Sequence, residues 1–99
     1  MHTFTEDKVF FDLYNTVRSA YIKRQEYNYE YGYESEITFA ECMYYWEEEE
    51  LPMLMDKYAV RFFDGGGFAN DYNNAMVRID GYEFDLENIF NEVAKEFRG

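Results

Sequence analysis

Apolar positions recur every three or four residues from near the start of the chain. Val9, Phe10, Leu13, Val17, Ala20 and Tyr21 fall on one side of a helix, with Asp7, Lys8, Asp12, Asn15, Arg18 and Lys23 on the other. Thr3 followed by Glu6 has the spacing of a capping box, in which hydroxyl and carboxylate satisfy the orphan N–H groups of a first turn. A helix is predicted from about residue 4 to about residue 25. From Tyr27 the pattern becomes strict alternation, Tyr27-Asn28-Tyr29-Glu30-Tyr31-Gly32-Tyr33-Glu34, which would set four phenol rings on one side of an extended chain. It fits equally a frayed helix end running into a loop. Gly32 and the acidic neighbours count against an interior strand, so a tyrosine-lined surface connection is predicted.

Thr38 and Glu41 repeat the capping-box spacing and open a second helix through Phe39, Cys42, Met43 and Trp46. Its apolar phase breaks at Glu47-Glu48-Glu49-Glu50 and resumes in a new register at Leu51, Met55, Tyr58 and Phe62. Pro52, which lacks an N–H and clashes with the preceding turn, predicts a kink or a restart there. Gly65-Gly66-Gly67 is read as the stop of that helix, and Asn70, Asp71, Asn73 and Asn74 as a polar loop. Ala75 to Ile79 and Tyr82 to Phe84 are short alternating runs joined by Asp80-Gly81, the signature of a type I′ hairpin. Asp85 is positioned to cap a last helix with Leu86, Ile89, Phe90, Val93 and Phe97 on one face. The expected architecture is α+β: one domain over residues 1–99, with about three helices, the second kinked or broken at Pro52, packed with a small β-hairpin. Leu13 and Phe90 are placed in its core.

Composition narrows the function. Hydrophobic residues make up 47% of the chain, too many for a disordered acidic tail. The net charge of −12 disfavours nucleic acid as a direct ligand and anionic membranes as a docking surface. The first residues carry neither a basic nor an apolar leader pattern, and no run approaches the length of a membrane span, so a cytoplasmic protein is expected. The single cysteine, Cys42, excludes a disulfide framework and fits a reducing compartment.

Catalytic chemistry finds little to use. The only histidine is His2, beside the terminus, so a Ser-His or Cys-His pair has no fixed base. Gly65-Gly66-Gly67 lacks the Gly-Lys-Ser/Thr ending of a phosphate loop. Asp71-Tyr72-Asn73-Asn74-Ala75 begins like a calcium loop but has Ala at its fifth position and no glycine at its sixth. Cys42 and Trp46 sit on an apolar face, where a buried thiol and a core indole are the ordinary readings. A non-enzymatic protein without metal or cofactor is expected.

What stands out is the stretch from Gln25 to Asp56, with ten carboxylates and no Lys, Arg or His; the remaining residues carry eleven acids against nine bases. Tyr27, Tyr29, Tyr31, Tyr33, Phe39, Tyr44, Tyr45 and Trp46 are interleaved with the acids. Like charges at helical spacings destabilise a helix, and bases among Glu47 to Glu50 would relieve that repulsion. Their absence points to an opposing positive surface, with solubility as the competing explanation. Carboxylates four residues apart on a helix lie about 6 Å apart along its axis, a charge density comparable to that of a strand with a phosphate about every 3.4 Å.

In size, charge and aromatic content the whole chain resembles the small acidic DNA-mimic proteins of bacteriophages and mobile elements. Such proteins serve host takeover and anti-defence by blocking HU-type nucleoid proteins, restriction enzymes, CRISPR nucleases, repair glycosylases or RNA polymerase. The resemblance rests on no motif. It implies an inhibitor in a bacterial host cytoplasm that occupies the nucleic-acid site of a basic DNA-binding protein. The alternative is an immunity protein or antitoxin neutralising a basic nuclease toxin. Candidate partner contacts are Glu30, Glu34, Glu36, Glu41, Tyr44, Tyr45, Glu47, Glu48, Glu49 and Glu50. The Tyr27 to Tyr33 rings offer further apolar contact, with a homodimer interface as one use open to them.

Overall fold

The structure, a computed structural model, describes residues 3–62 and 75–98. Within them the order is α1 (Glu6–Tyr31), α2 (Phe39–Tyr45), a π-helical turn (Trp46–Glu50), α3 (Leu51–Lys57), β1 (Val60–Phe62), β2 (Met76–Ile79), β3 (Tyr82–Asp85) and α4 (Leu86–Arg98). With α2, the π turn and α3 running as one interrupted helix, this is the expected α+β arrangement of three helices and a small sheet. Among the described residues the sheet has three strands rather than two. The predicted stop at Gly65-Gly66-Gly67 and the loop through Asn70, Asp71, Asn73 and Asn74 lie outside the described residues.

α1 differs from the prediction at both ends. Its N-cap is Thr5, whose hydroxyl accepts from the Lys8 N–H at 3.2 Å. The Thr3–Glu6 box does not form, because the Thr3 and Phe4 N–H groups donate instead to Asp80 Oδ2 in the hairpin turn. At the other end the helix continues through the tyrosine run. Alternation there does not signal a strand: Tyr27 and Tyr31 are four residues apart, one above the other on a helix, with ring centroids 4.7 Å apart. Gly32, at φ 75°, supplies the left-handed cap that stops the helix.

In the second helix the Thr38–Glu41 capping box forms as predicted. The change of apolar phase is absorbed by the π turn, where the Leu51 N–H bonds the Trp46 carbonyl five residues back. That wider turn lets Leu51 follow Trp46 on the buried side, and Leu54 and Tyr58 continue the face. Pro52 sits in the first turn of α3, where the N–H it lacks is not missed. Met55, expected on the apolar face, is 54% exposed. The helix ends at Lys57, and Phe62, expected to continue its stripe, lies in β1; a three-residue strand is too short to register as alternation.

β2 lies between β1 and β3 and pairs antiparallel with both. Asp80 and Gly81 have φ of 51° and 87°, the positive pair a type I′ turn requires. Val77, Ile79 and Phe84 turn inward from the strands. Asp85 Oδ1 accepts from the Glu87 N–H at 3.0 Å, the predicted cap of α4, which buries Leu86, Ile89, Phe90 and Val93. Leu13, Met43 and Trp46 are fully buried where these layers meet; Phe10 packs at the rim against Tyr14 and Phe84 and stays 42% exposed.

An ionic cluster fastens α1 to the end of α3. Asp12 accepts from Lys8 and Lys57, and from the Tyr58 hydroxyl at 2.5 Å. Burial favours the neutral acid, but the three donors outweigh it and hold the Asp12 carboxyl down at about 2. A carboxyl depressed in the fold stabilises it above the unfolded pKa and loses that contribution as pH falls through the folded one. Asp12→Asn is therefore expected to cost about 2 kcal/mol at pH 7, with the gap to wild type closing between about pH 4 and pH 2. Urea titrations across that range check it; a gap independent of pH would contradict it.

Candidate partner-binding face

The acidic stretch is less self-repelling than its sequence suggests. Helix α1 runs beyond residue 25, so Lys23 and Arg24, just outside the stretch, lie against the second helix. Lys23 Nζ is 2.6 Å from Glu50 Oε2 and 3.7 Å from Glu49 Oε1, and these carboxylates raise its pKa. Arg24 donates to Glu41 Oε2 at 2.7 Å and to Asn28 Oδ1 at 2.9 Å. Arg98 of α4 lies 3.9 Å from Glu36 and donates to the Ile37 carbonyl. Within the run Glu47 to Glu50, repulsion is thus relieved at Glu49 and Glu50 by Lys23 from outside the stretch, and Glu41 and Glu36 also meet bases from outside it.

The candidates separate accordingly. Glu50 is 3% exposed and structural. Glu41 is half-buried and doubly engaged, since its Oε1 also accepts from the Thr38 N–H. Glu47 is half-buried, and burial, with Glu48 beside it, pushes its carboxyl up. Glu30, Glu34, Glu36, Glu48 and Glu49 are exposed. Glu26, which sequence reasoning passed over, is exposed too; with Glu30, Glu34, Glu47, Glu48 and Asp56 it makes no ion pair among the described residues. Glu30 lies in the last turn of α1, which holds no base, so its charge faces the negative end of the helix dipole.

Tyrosines converge beside these acids. Tyr27 is the hub: its ring centroid is 4.7 Å from Tyr31, 5.9 Å from Tyr33 and 6.4 Å from Tyr45, and Tyr45 meets Tyr44 edge-on at 5.6 Å. Gly32 turns the chain so that Tyr33 folds back onto Tyr27. Burial raises the Tyr45 phenol; Arg24 opposes the shift, while Glu49 and the neighbouring phenols add to it. Tyr31, Tyr33 and Tyr44 keep 59, 53 and 59% of their surface exposed, and Tyr29, on another side of α1, keeps 91%. The helical i to i+4 spacing of Tyr27 and Tyr31 was the available signal for this cluster; reading the stretch as a surface connection concealed it.

An open cleft of about 550 Å³ adjoins the cluster, with Asn28, Tyr29, Tyr33, Phe97 and Arg98 in its walls. Cys42 donates to the Val17 carbonyl at 3.7 Å, and burial pushes its thiol up to about 12, leaving little nucleophile at neutral pH. Among the described residues no group of three or more His, Cys, Asp or Glu side chains is placed to hold a metal ion, and no helix is long and apolar enough to cross a membrane. Comparison of the chain with protein-family models, curated proteins and solved structures finds no match.

Proposed function

We propose that this chain is a non-enzymatic acidic inhibitor that occupies the nucleic-acid-binding surface of a basic DNA-binding protein, of the kind represented by HU-type nucleoid proteins and restriction or CRISPR nucleases. The observation that carries this reading is the set of exposed carboxylates at and just beyond the end of α1, Glu26, Glu30 and Glu34, which make no ion pair among the described residues and lie near exposed tyrosine rings in the chain. No described base pairs with them, and Glu30 opposes the helix dipole. A basic partner would turn that cost into attraction and speed association. Glu48 extends the same set from the π turn, and the rings supply the apolar anchors that charge alone lacks. An immunity protein or antitoxin would use the same surface and differ in its target, a nuclease encoded alongside.

The variant Glu26→Gln, Glu30→Gln, Glu34→Gln, Glu48→Gln tests the surface. It removes four exposed charges while leaving Lys23–Glu50 and Arg24–Glu41 intact. Folding stability should stay within about 0.5 kcal/mol of wild type. Binding to a basic DNA-binding protein should weaken by about 1–4 kcal/mol at low salt, with a shallower salt dependence. Undiminished binding by the folded variant would place the contact elsewhere.

A further inference from the structure

The tyrosine cluster already holds one guanidinium of its own chain. The Arg24 Cζ lies 4.9 Å from the centre of the Tyr27 ring while its nitrogens reach Glu41 and Asn28. A planar cation that lies over a phenol while two of its nitrogens bond a carboxylate and an amide oxygen is an arrangement that suits arginine better than lysine: an ammonium also sits over a ring, as Lys57 does over Tyr58, but it lacks the flat guanidinium that stacks and donates in fixed directions at once. The same ingredients continue outward. Tyr31, Tyr33 and Tyr44 present exposed rings. Glu30 follows Tyr27 by one helical turn, Glu34 follows Tyr33 directly, and Glu48 lies four residues beyond Tyr44.

We infer that the face formed by Tyr31, Tyr33 and Tyr44 with Glu30, Glu34 and Glu48 docks an arginine-bearing segment of a partner protein, taking guanidinium groups on the phenol rings with the carboxylates as their counter-charges. Charge complementarity selects this occupant over a second copy of the chain, because two faces from chains of net charge −12 repel where they would have to touch. It also gives the acidic surface a selectivity that charge alone lacks. The inference rests on the proposed basic partner and specifies which cation that partner supplies.

Two peptides of equal length and charge, an Arg-Gly repeat and a Lys-Gly repeat, test it by titration against the whole chain. The arginine peptide should bind about threefold to thirtyfold more tightly, the upper figure being the whole gain from two exposed cation–ring contacts, part of which a lysine also makes. Tyr31→Ala, Tyr33→Ala, Tyr44→Ala should bring the arginine peptide down to the level of the lysine peptide, whereas Tyr→Phe at the same positions should keep the preference. All three rings are exposed, so both variants are expected to fold, and circular dichroism checks this. Equal affinity for the two peptides would overturn the inference, as would a preference that survives the alanine variant. Sedimentation showing a dimer that the alanine variant abolishes would assign the face to a second copy and overturn it too. Displacement of DNA from a basic protein without an arginine preference would sink this inference and leave the inhibitor reading standing; the reverse result would sink only the latter.

Discussion

Trp46→Ala is expected to cost about 3–5 kcal/mol, the largest effect expected of a single truncation among the described residues, where Trp46 is the largest fully buried side chain. Trp46 is completely buried and opens the π turn. Its indole N–H donates to Thr16 Oγ1 on α1 at 2.9 Å, and its ring meets Phe62 of β1 edge-on at 6.3 Å. One side chain therefore joins the interrupted helix to the long helix and to the first strand. Losing it leaves a cavity where three elements meet, in a domain of a size whose whole stability is about 5–15 kcal/mol. Urea denaturation should show the variant largely unfolded or close to it. A loss below about 1 kcal/mol would mean that the site collapses easily and that the indole does not join these elements.

Lys23→Met is the second large effect. It leaves the Glu50 carboxylate, whose side chain is 5% exposed, without its cation. Stranding one partner of a buried pair typically costs about 3–5 kcal/mol; here about 2–4 kcal/mol is expected, because Lys23 is 36% exposed and the pair is partly wet. Adding Glu50→Leu removes the stranded charge and should restore most of the loss, since apolar replacement of a whole pair is often close to neutral. A thermodynamic cycle over both single variants and the double isolates the coupling. Additive losses would show that the ion pair is not what holds Glu50 in place.

Periodicity made most of the fold legible in the sequence. The stripe of α1, the Thr38–Glu41 box, the Asp80-Gly81 turn and the Asp85 cap are local signals, and each appears where its residues place it. The failures have two causes: a tertiary partner that overrides a local pattern, and a helix that propagates through one. Thr3 loses its box because Asp80, far along the chain, takes its N–H. Tyr27 to Tyr33 alternate, yet a helix already running through Arg24 continues until Gly32 ends it. A short strand such as β1 is specified by its pairing with β2 and carries no period of its own.

The candidate site was half legible for the same reason. Charge density along the chain located the acidic stretch, but it could not separate Glu50, buried on Lys23, from Glu48, exposed beside it. That division depends on which helix packs alongside. The bases relieving Glu41, Glu49 and Glu50 come from the turn of α1 immediately before the stretch. Under the proposed reading, the surface left for a partner is the end of α1 with Glu48 of the π turn, a smaller surface than the run of four glutamates first implied.

Competition with DNA tests the inhibitor reading most directly. A labelled DNA duplex bound to an HU-type protein or to another basic DNA-binding protein is titrated with this chain at low salt, and release is followed by fluorescence anisotropy. The reading predicts that the chain displaces the duplex, that displacement weakens steeply as salt rises, and that the Glu26, Glu30, Glu34, Glu48 glutamine variant displaces far less. A duplex that stays bound to every basic DNA-binding protein tried, at chain concentrations well above that of the complex, would contradict it.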